Sequence, residues 1–325
     1  MSHINQTALV TGANAGLGFE AAAQLAEVGY RRVILACRTI GKATAARKQL
    51  VERTGRDVFD VIAVDVAELA SAEAAAQELI ARDETIDLLV LNAGLARTEL
   101  VTTTDGIELT LAASLFGHHV LTMRLLEANR LASNAHIVIA GSEGARGEMP
   151  GMGNYDYTAY EKSFGSLDDA MDATAKGEQL DSYQQMRVYA NAKVWVTWWA
   201  AALSRELPEG MVAVAVSPGS APGTSFDRNM PAIFRWTLLP FIKVVGPWIG
   251  MAGSIEQGAK RYVDAGDFAT DATGKFWASP PGKAVGPLEV QPHSHFHDRR
   301  LQDAAWRSVV RLSGVGLPQA VAAAK

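Results

Sequence analysis

The sequence predicts an α/β fold, a doubly wound and mostly parallel sheet of about seven strands with helices on both faces. Two observations predict it. Short β-branched runs alternate with longer alanine-rich stretches of helical spacing from residue 7 to about residue 277, and parallel strands need crossover helices of one hand. A glycine-rich turn, Thr11-Gly12-Ala13-Asn14-Ala15-Gly16-Leu17-Gly18, joins the first strand to the first helix. That is the opening of a Rossmann fold, whose ligands sit at the carboxyl ends of the strands.

The run at 7–10 is a short buried strand, and apolar positions over 16–28 recur at helical intervals up to Gly29, a natural left-handed C-cap. Further strands are expected at 32–36, 58–64, 86–91, 136–140, 211–216 and 275–277, with helical patterns in most of the gaps. A helix over 189–207 would carry Tyr189 and Lys193 at i and i+4, on one face. No Pro/Ser-rich linker, repeat or low-complexity tract divides the chain, so residues 1–325 read as a single domain.

With 325 residues, 48% hydrophobic and 20% charged, the chain can bury a large core. A formal net charge of −5, a pI near 5.8 and the lack of a basic block argue against nucleic acid and for small-molecule partners. Cys37 is the sole cysteine, which excludes an internal disulfide, leaves no zinc cluster, predicts no metal and fits a reducing, cytoplasmic setting. The first residues lack a basic segment followed by an apolar one, so no signal peptide is expected. Residues 232–252 are apolar but interrupted by Arg235, Pro240, Lys243, Gly246 and Pro247. A spanning helix needs about 20 mostly apolar residues, so no spanning segment is expected there.

The glycines have separate tasks in a dinucleotide site. Gly12 permits the tight turn, Gly16 lets backbone N–H groups approach a pyrophosphate and Gly18 lets the helix pack close to the sheet, with Asn14, Ala15 and Leu17 completing the loop. Asp65 and Val66, after the third strand, are in place to hold an adenine. A site preferring NAD usually has a carboxylate about 20 residues beyond the glycines; this chain has Ala36-Cys37-Arg38-Thr39. Arg38, helped by Lys42, can form charge-assisted hydrogen bonds with a 2′-phosphate, so NADP(H) is the expected cofactor.

These residues, together with Tyr189-x3-Lys193, Asn92-Ala93-Gly94, Gly141-Ser142 and Ser217-Pro218-Gly219, resemble the short-chain dehydrogenases/reductases over about 7–277. The resemblance implies that Asn92, Ala93 and Gly94 stabilise the sheet beside the cofactor, that Pro218 and Gly219 border the nicotinamide, and that Thr224 touches its carboxamide or the phosphates. It implies Tyr189 as general acid and base, Ser142 as the group orienting the carbonyl oxygen, and Lys193 as the grip on the nicotinamide ribose. A phenol titrates near about 10 in model peptides; the Lys193 ammonium, with the positive nicotinamide of the oxidised complex, is expected to lower that value.

Two departures stand out. The family's relay asparagine, three residues before a Gly-His pair, is Ser114 here, so the resemblance implies a weakened or rearranged proton path with Ser114 as its candidate catalytic residue. Ser142 and Tyr189 are 47 positions apart, against the family's usual spacing of little more than a dozen. The inserted segment, about 143–180, is expected to shape the substrate pocket, with packing on the outer surface or on a partner as the alternative. An apolar stretch at about 220–252 reads as a lid, with membrane-surface association as the alternative, and about 285–325 as a C-terminal extension. Trp195, Trp198 and Trp199 read as core or subunit interface. The resemblance implies a homo-oligomer unless insert and tail occupy the usual interfaces, which would leave a monomer.

The features together look most like the retinol dehydrogenase-like and light-dependent protochlorophyllide reductase-like branch. The expectation is hydride transfer between NADP(H) and a bulky apolar alcohol or carbonyl substrate. The alternatives are C=C reduction of a large conjugated ring and a catalytically silent NADP-binding sensor.

Overall fold

The computed structural model describes residues 3–178, 182–220 and 253–318. Strands β1 (Thr7–Thr11), β2 (Arg32–Cys37), β3 (Phe59–Ala63), β4 (Ile86–Leu91), β5 (Leu131–Ala140), β6 (Val212–Val216), β7 (Phe276–Ala278) and β8 (Glu289–Val290) form one sheet in the order β3-β2-β1-β4-β5-β6-β7-β8. The first seven strands are parallel, and β8 joins β7 antiparallel. Among the described residues only β8 adds to the seven strands expected; its two residues are exposed and pair through backbone alone, so they carry no apolar alternation to read.

Every residue of β1 and β6 is buried, because helices cover both faces of the sheet. Side chains alternate between two cores. Leu9, Ile137 and Ile139 face α3 (Leu69–Ala81), α4 (Leu109–Glu127) and α7 (Gln185–Ser204), whereas Ala8, Val10, Val138 and Ala140 face α1 (Gly16–Glu27), α2 (Ile40–Thr54) and α8 (Ile255–Ala265). The chain turns from β3 back to the other side of β1 to lay down β4. The carboxyl ends of β1 and β4 therefore form a switch point where a ligand crevice opens.

Helix α7 begins one turn earlier than expected and ends at Ser204. Its first turn, Gln185-Met186-Arg187, is half-buried and mostly polar, which hides it from a reading of apolar periodicity. Strand β5 likewise starts at Leu131 rather than 136, because Ser133 and Asn134 are exposed. Among the described residues, α4 alone has the length and apolarity to cross a membrane, and 89% of that stretch is buried inside the fold. Residues 232–252, considered above as a span, lie outside the described residues.

The insert divides into two parts. Residues 143–156 begin with a short 3-10 turn, Glu143–Arg146, and stay beside Ser142: a Cβ on Gly144 would meet Met152 Sδ at 2.9 Å. Helices α5 (Tyr157–Phe164) and α6 (Leu167–Ala175) instead pack behind the site, with α6 and α7 both against α9 (Arg299–Ser313) of the tail. Tyr155, Tyr157 and Tyr160 are buried against one another. The first part of the insert thus lies beside Ser142, while its helices form an outer layer.

That layer and the tail cover the tryptophans of α7. Trp195 Nε1 donates to Tyr157 Oη at 2.7 Å, and Tyr157 donates to Asn191 Oδ1 at 2.9 Å. Trp198 Nε1 donates to the His295 carbonyl at 2.7 Å, and Trp199 Nε1 to His119 Nδ1 at 3.0 Å. The other His119 nitrogen reaches the Val315 carbonyl at 2.8 Å, and burial holds this imidazole down to about 4, so it stays neutral. Arg307 and Arg311 pair with Asp168 and Asp172 at 2.8 and 2.7 Å, exposed bridges that set register more than they stabilise.

Tyr157→Phe removes one hydroxyl and leaves both a buried indole N–H and a buried amide oxygen without their partner. It is expected to destabilise the fold by about 1–3 kcal/mol in denaturant unfolding; a loss below about 0.5 kcal/mol would mean that both groups are satisfied without it.

Candidate active site

At the end of β1 the Gly12 N–H donates to the Ala36 carbonyl at 2.8 Å, which ties the glycine turn to β2. Gly16 has φ +56°, in the region glycine occupies without strain. At Gly18 a Cβ would lie 2.5 Å from both Asn92 Nδ2 and the Gly12 carbonyl oxygen, so only glycine lets α1 approach β4 this closely. The N-cap of α1 is Ala15, which offers no side-chain cap. The first-turn N–H groups therefore face outward with Asn14 exposed beside them, the geometry that receives an anion.

The Cys37 thiol lies against the backbone N–H groups of Ala13 and Asn14, and burial pushes it up to about 11. Arg38, the next residue, is thereby set beside the loop and exposed, as is Lys42 in the first turn of α2. Asp65 closes its own turn by accepting from the Ala67 N–H at 3.1 Å, while the carbonyl of buried Val66 packs on Gly117 of α4. The Asn92 amide donates to the Thr11 carbonyl at 2.9 Å, and the Ala93 N–H donates to the Thr11 hydroxyl at 2.9 Å. The nucleotide turn and the turn after β4 are thus one unit.

Lys193 is 5% exposed, and its ammonium donates to the Ala140 carbonyl, the last of β5, at 2.7 Å. Ser142 lies two residues farther on. Its oxygen caps the Glu143–Arg146 turn by accepting from the Gly144 N–H at 3.1 Å, and its hydroxyl also bonds the Tyr189 phenol. One turn from Tyr189, Lys193 Nζ stands 5.8 Å from the Tyr189 ring centre. Ser142, Tyr189 and Lys193 therefore meet at the end of β5. Gly94 and Ser114 belong to the same cluster: a Cβ on Gly94 would be 3.6 Å from Ser114 Oγ and 3.8 Å from Lys193 Nζ.

The electrostatics differ from the expectation in one respect. Burial raises the Tyr189 phenol above its ordinary value; the bond from Ser142 opposes this and the Glu143 charge adds to it. The same dry surroundings destabilise the Lys193 ammonium, which burial brings down to about 8.

Ser114 sits in a π-helical turn, Ala112–Phe116, inside α4. Such a turn aims groups that a regular helix would keep in its ladder. The Ser114 carbonyl meets His118 Nδ1 at 3.1 Å, and since a carbonyl only accepts, that nitrogen carries the proton. His118 Nε2 then accepts from the Thr11 hydroxyl at 3.0 Å. Burial, reinforced by the Lys193 charge, holds His118 down to about 4. The Ser114 hydroxyl itself is buried without a hydrogen-bond partner.

Pro218 and Gly219 follow β6 at the same edge, and α8 wedges between them and Leu17: a Cβ on Gly258 would be 2.8 Å from Leu17 Cδ2 and 2.9 Å from the Pro218 carbonyl. The Gly253 N–H donates to the Ser220 carbonyl at 2.6 Å, so the chain leaves and returns at one point beside this turn. Thr224 and the rest of residues 221–252, expected above to form a lid, lie outside the described residues. Sequence reasoning missed a carboxylate here. Glu143 is buried next to Ser142 and bonds Ser217, Ser279 and Arg261. Its adjacency to Ser142 was the available signal, but its partners are remote in the chain.

The family model of the short chain dehydrogenases matches residues 6–159. The chain is similar to WW domain-containing oxidoreductase of Gallus gallus, 30% identical over 261 residues that make up 78% of this chain and 56% of that protein. It therefore spans little more than half the length of that relative. It is also similar to retinol dehydrogenase 13 of Homo sapiens, 26% identical over 324 residues, 96% of this chain and 86% of that one. A solved short chain dehydrogenase from Burkholderia cenocepacia J2315, in complex with NADP, shares the fold with a TM-score of 0.60 at 22% identity, covering 85% of this chain and 96% of that one. Matched over residues 6–159 by the family model and aligned over 96% of its length with retinol dehydrogenase 13, the chain is similar to the short-chain dehydrogenases/reductases and resembles their retinol dehydrogenase-like branch.

Proposed function

We propose that this protein is an NADP(H)-dependent oxidoreductase that moves hydride between the nicotinamide and a bulky apolar alcohol or carbonyl compound, with Tyr189 as general acid and base. The observation that carries this reading is the meeting of the Ser142 hydroxyl, the Tyr189 phenol and the Lys193 ammonium at the end of β5. The uncapped N-terminus of α1 lies at the same edge of the sheet.

The residues present fit a dinucleotide. The first-turn N–H groups of α1 suit the pyrophosphate, and the exposed Arg38 and Lys42 suit a 2′-phosphate, which favours NADP over NAD. When bound, the reduced nicotinamide supplies the hydride. The rest is work for the side chains. Tyr189 donates its proton to the carbonyl oxygen, and Ser142 turns its hydroxyl toward that oxygen and stabilises the developing alkoxide. Lys193, buried and poised near about 8, favours the phenolate as the proton leaves. The orphaned Ser114 hydroxyl, beside Gly94 and Lys193, suits a water that connects Lys193 to solvent in place of an asparagine. The name of one relative, retinol dehydrogenase 13, supports an apolar substrate.

Because burial raises the Tyr189 pKa, the phenol remains protonated through neutral pH. The rate of carbonyl reduction is expected to be flat there and to fall as pH rises through that raised value, while alcohol oxidation rises over the same range. Tyr189→Phe is expected to lower turnover of apolar ketones and aldehydes in darkness by about 10²–10⁴-fold, with NADPH affinity by nicotinamide fluorescence little changed. A preserved rate would remove Tyr189 from the chemistry, and turnover only under light would transfer the reading to ring reduction. Arg38→Ala is expected to weaken NADPH binding by about tenfold or more, as loss of a charge-assisted bond does, and to leave NADH binding unchanged; equal losses for both would overturn the 2′-phosphate assignment.

A further inference from the structure

Glu143 has a stronger set of partners than a loop residue needs. Its side chain is buried beside Ser142, and its Oε2 accepts from the Ser217 hydroxyl. Oε1 accepts from the Ser279 hydroxyl at 2.9 Å and the Ser279 N–H at 3.2 Å, and pairs with Arg261 Nη1 at 3.4 Å. Arg261 also donates to the carbonyls of Ser217 and Gly286, at 3.0 and 2.7 Å, and to Ser279 Oγ at 3.0 Å. The Ser217 oxygen in turn accepts from the Gly219 N–H at 3.2 Å. The ends of β5, β6 and β7 therefore meet on one carboxylate.

Burying an ion pair is a poor route to stability, since desolvation offsets much of the attraction and apolar packing often does as well. A carboxylate here is better explained by what it holds. On one side is Ser142, which bonds Tyr189; on the other is the Ser217-Pro218-Gly219 turn. We propose that Glu143 is a positioning residue for hydride transfer, holding the Ser142 turn at a set distance from the Pro218-Gly219 turn so that proton donor and nicotinamide pocket keep their mutual geometry. This rests on the oxidoreductase reading above.

The carboxylate also acts on Tyr189 through its field. Among the described residues, the titratable groups facing that phenol are Lys193 on its own helix, Glu143 from the turn after β5 and Tyr262 from α8; Arg261 lies behind Glu143, and His118 on α4 is neutral. Of these, Glu143 is a negative charge that raises the phenol. Removing its charge without its bulk should therefore make the phenol more acidic.

Glu143→Gln tests both roles. The expected result is a kcat lowered by about ten- to a hundredfold, as misplacement of a catalytic group produces, with the substrate KM changed little and the alkaline limb of carbonyl reduction moved to lower pH. The phenolate absorbance of Tyr189, isolated by subtracting the Tyr189→Phe trace in each background, should shift the same way; this titration needs no turnover and reads the Glu143 field even if no substrate reacts. An unchanged kcat and titration would overturn the proposal, and so would a lowered kcat with the titration unmoved, because that is a structural effect alone. If Glu143→Gln does not fold, Ser217→Ala tests the same link with the charge in place. It should lower kcat while leaving the alkaline limb where it was, and a wild-type kcat would overturn the positioning role.

Discussion

The candidate site depends on one buried cation. Lys193 brings its ammonium out of water and donates to the last carbonyl of β5, a charge-assisted bond made where competition from solvent is least. That bond sets the register of α7 against the sheet. Tyr189, one turn earlier, is then brought to Ser142, two residues beyond the same carbonyl. Burial destabilises the charge that makes the bond, and it is also why the ammonium titrates near about 8 rather than at its ordinary value. The same dry surroundings hold His118 neutral, so a second cation does not compete with the first.

Around this cation, polar groups are satisfied in a chain that runs through several elements. The Ala93 N–H, the Thr11 hydroxyl, His118 and the Ser114 carbonyl follow one another from the nucleotide turn to the π-helical turn of α4. The extra residue of that turn lets Ser114 present its hydroxyl toward Gly94 and Lys193. A buried hydroxyl without a protein partner in a polar corner is a place for water.

The insert and the tail solve a different problem. Helix α7 carries three fully buried tryptophans, and each indole N–H needs an acceptor once it leaves water. Tyr157 of the insert, His119 of α4 and the His295 carbonyl of the tail supply them. The outer face of α7 is thereby covered from within the chain, with α9 bound to α6 through Arg307, Arg311, Asp168 and Asp172. The added length thus serves mainly to complete a core, and only its first dozen residues flank the Ser142 turn.

By itself the sequence determined the sheet, the nucleotide turn and the proximity of Tyr189 to Lys193, because each is encoded over a few residues. Strands buried on both faces must be apolar throughout, Gly16 and Gly18 occupy positions where a Cβ strains or collides, and an i, i+4 pair shares a helix face whatever surrounds it. Tertiary structure alone decided the rest. Arg261 is 118 positions from Glu143, and no local pattern announces that they pair. The two-residue β8 exists only because β7 offers an edge. The direction of the Tyr189 shift was likewise set by the fold: a cation nearby lowers a phenol's pKa, but burial raises it, and how dry each group becomes depends on segments far apart in the chain that pack together only in the folded state.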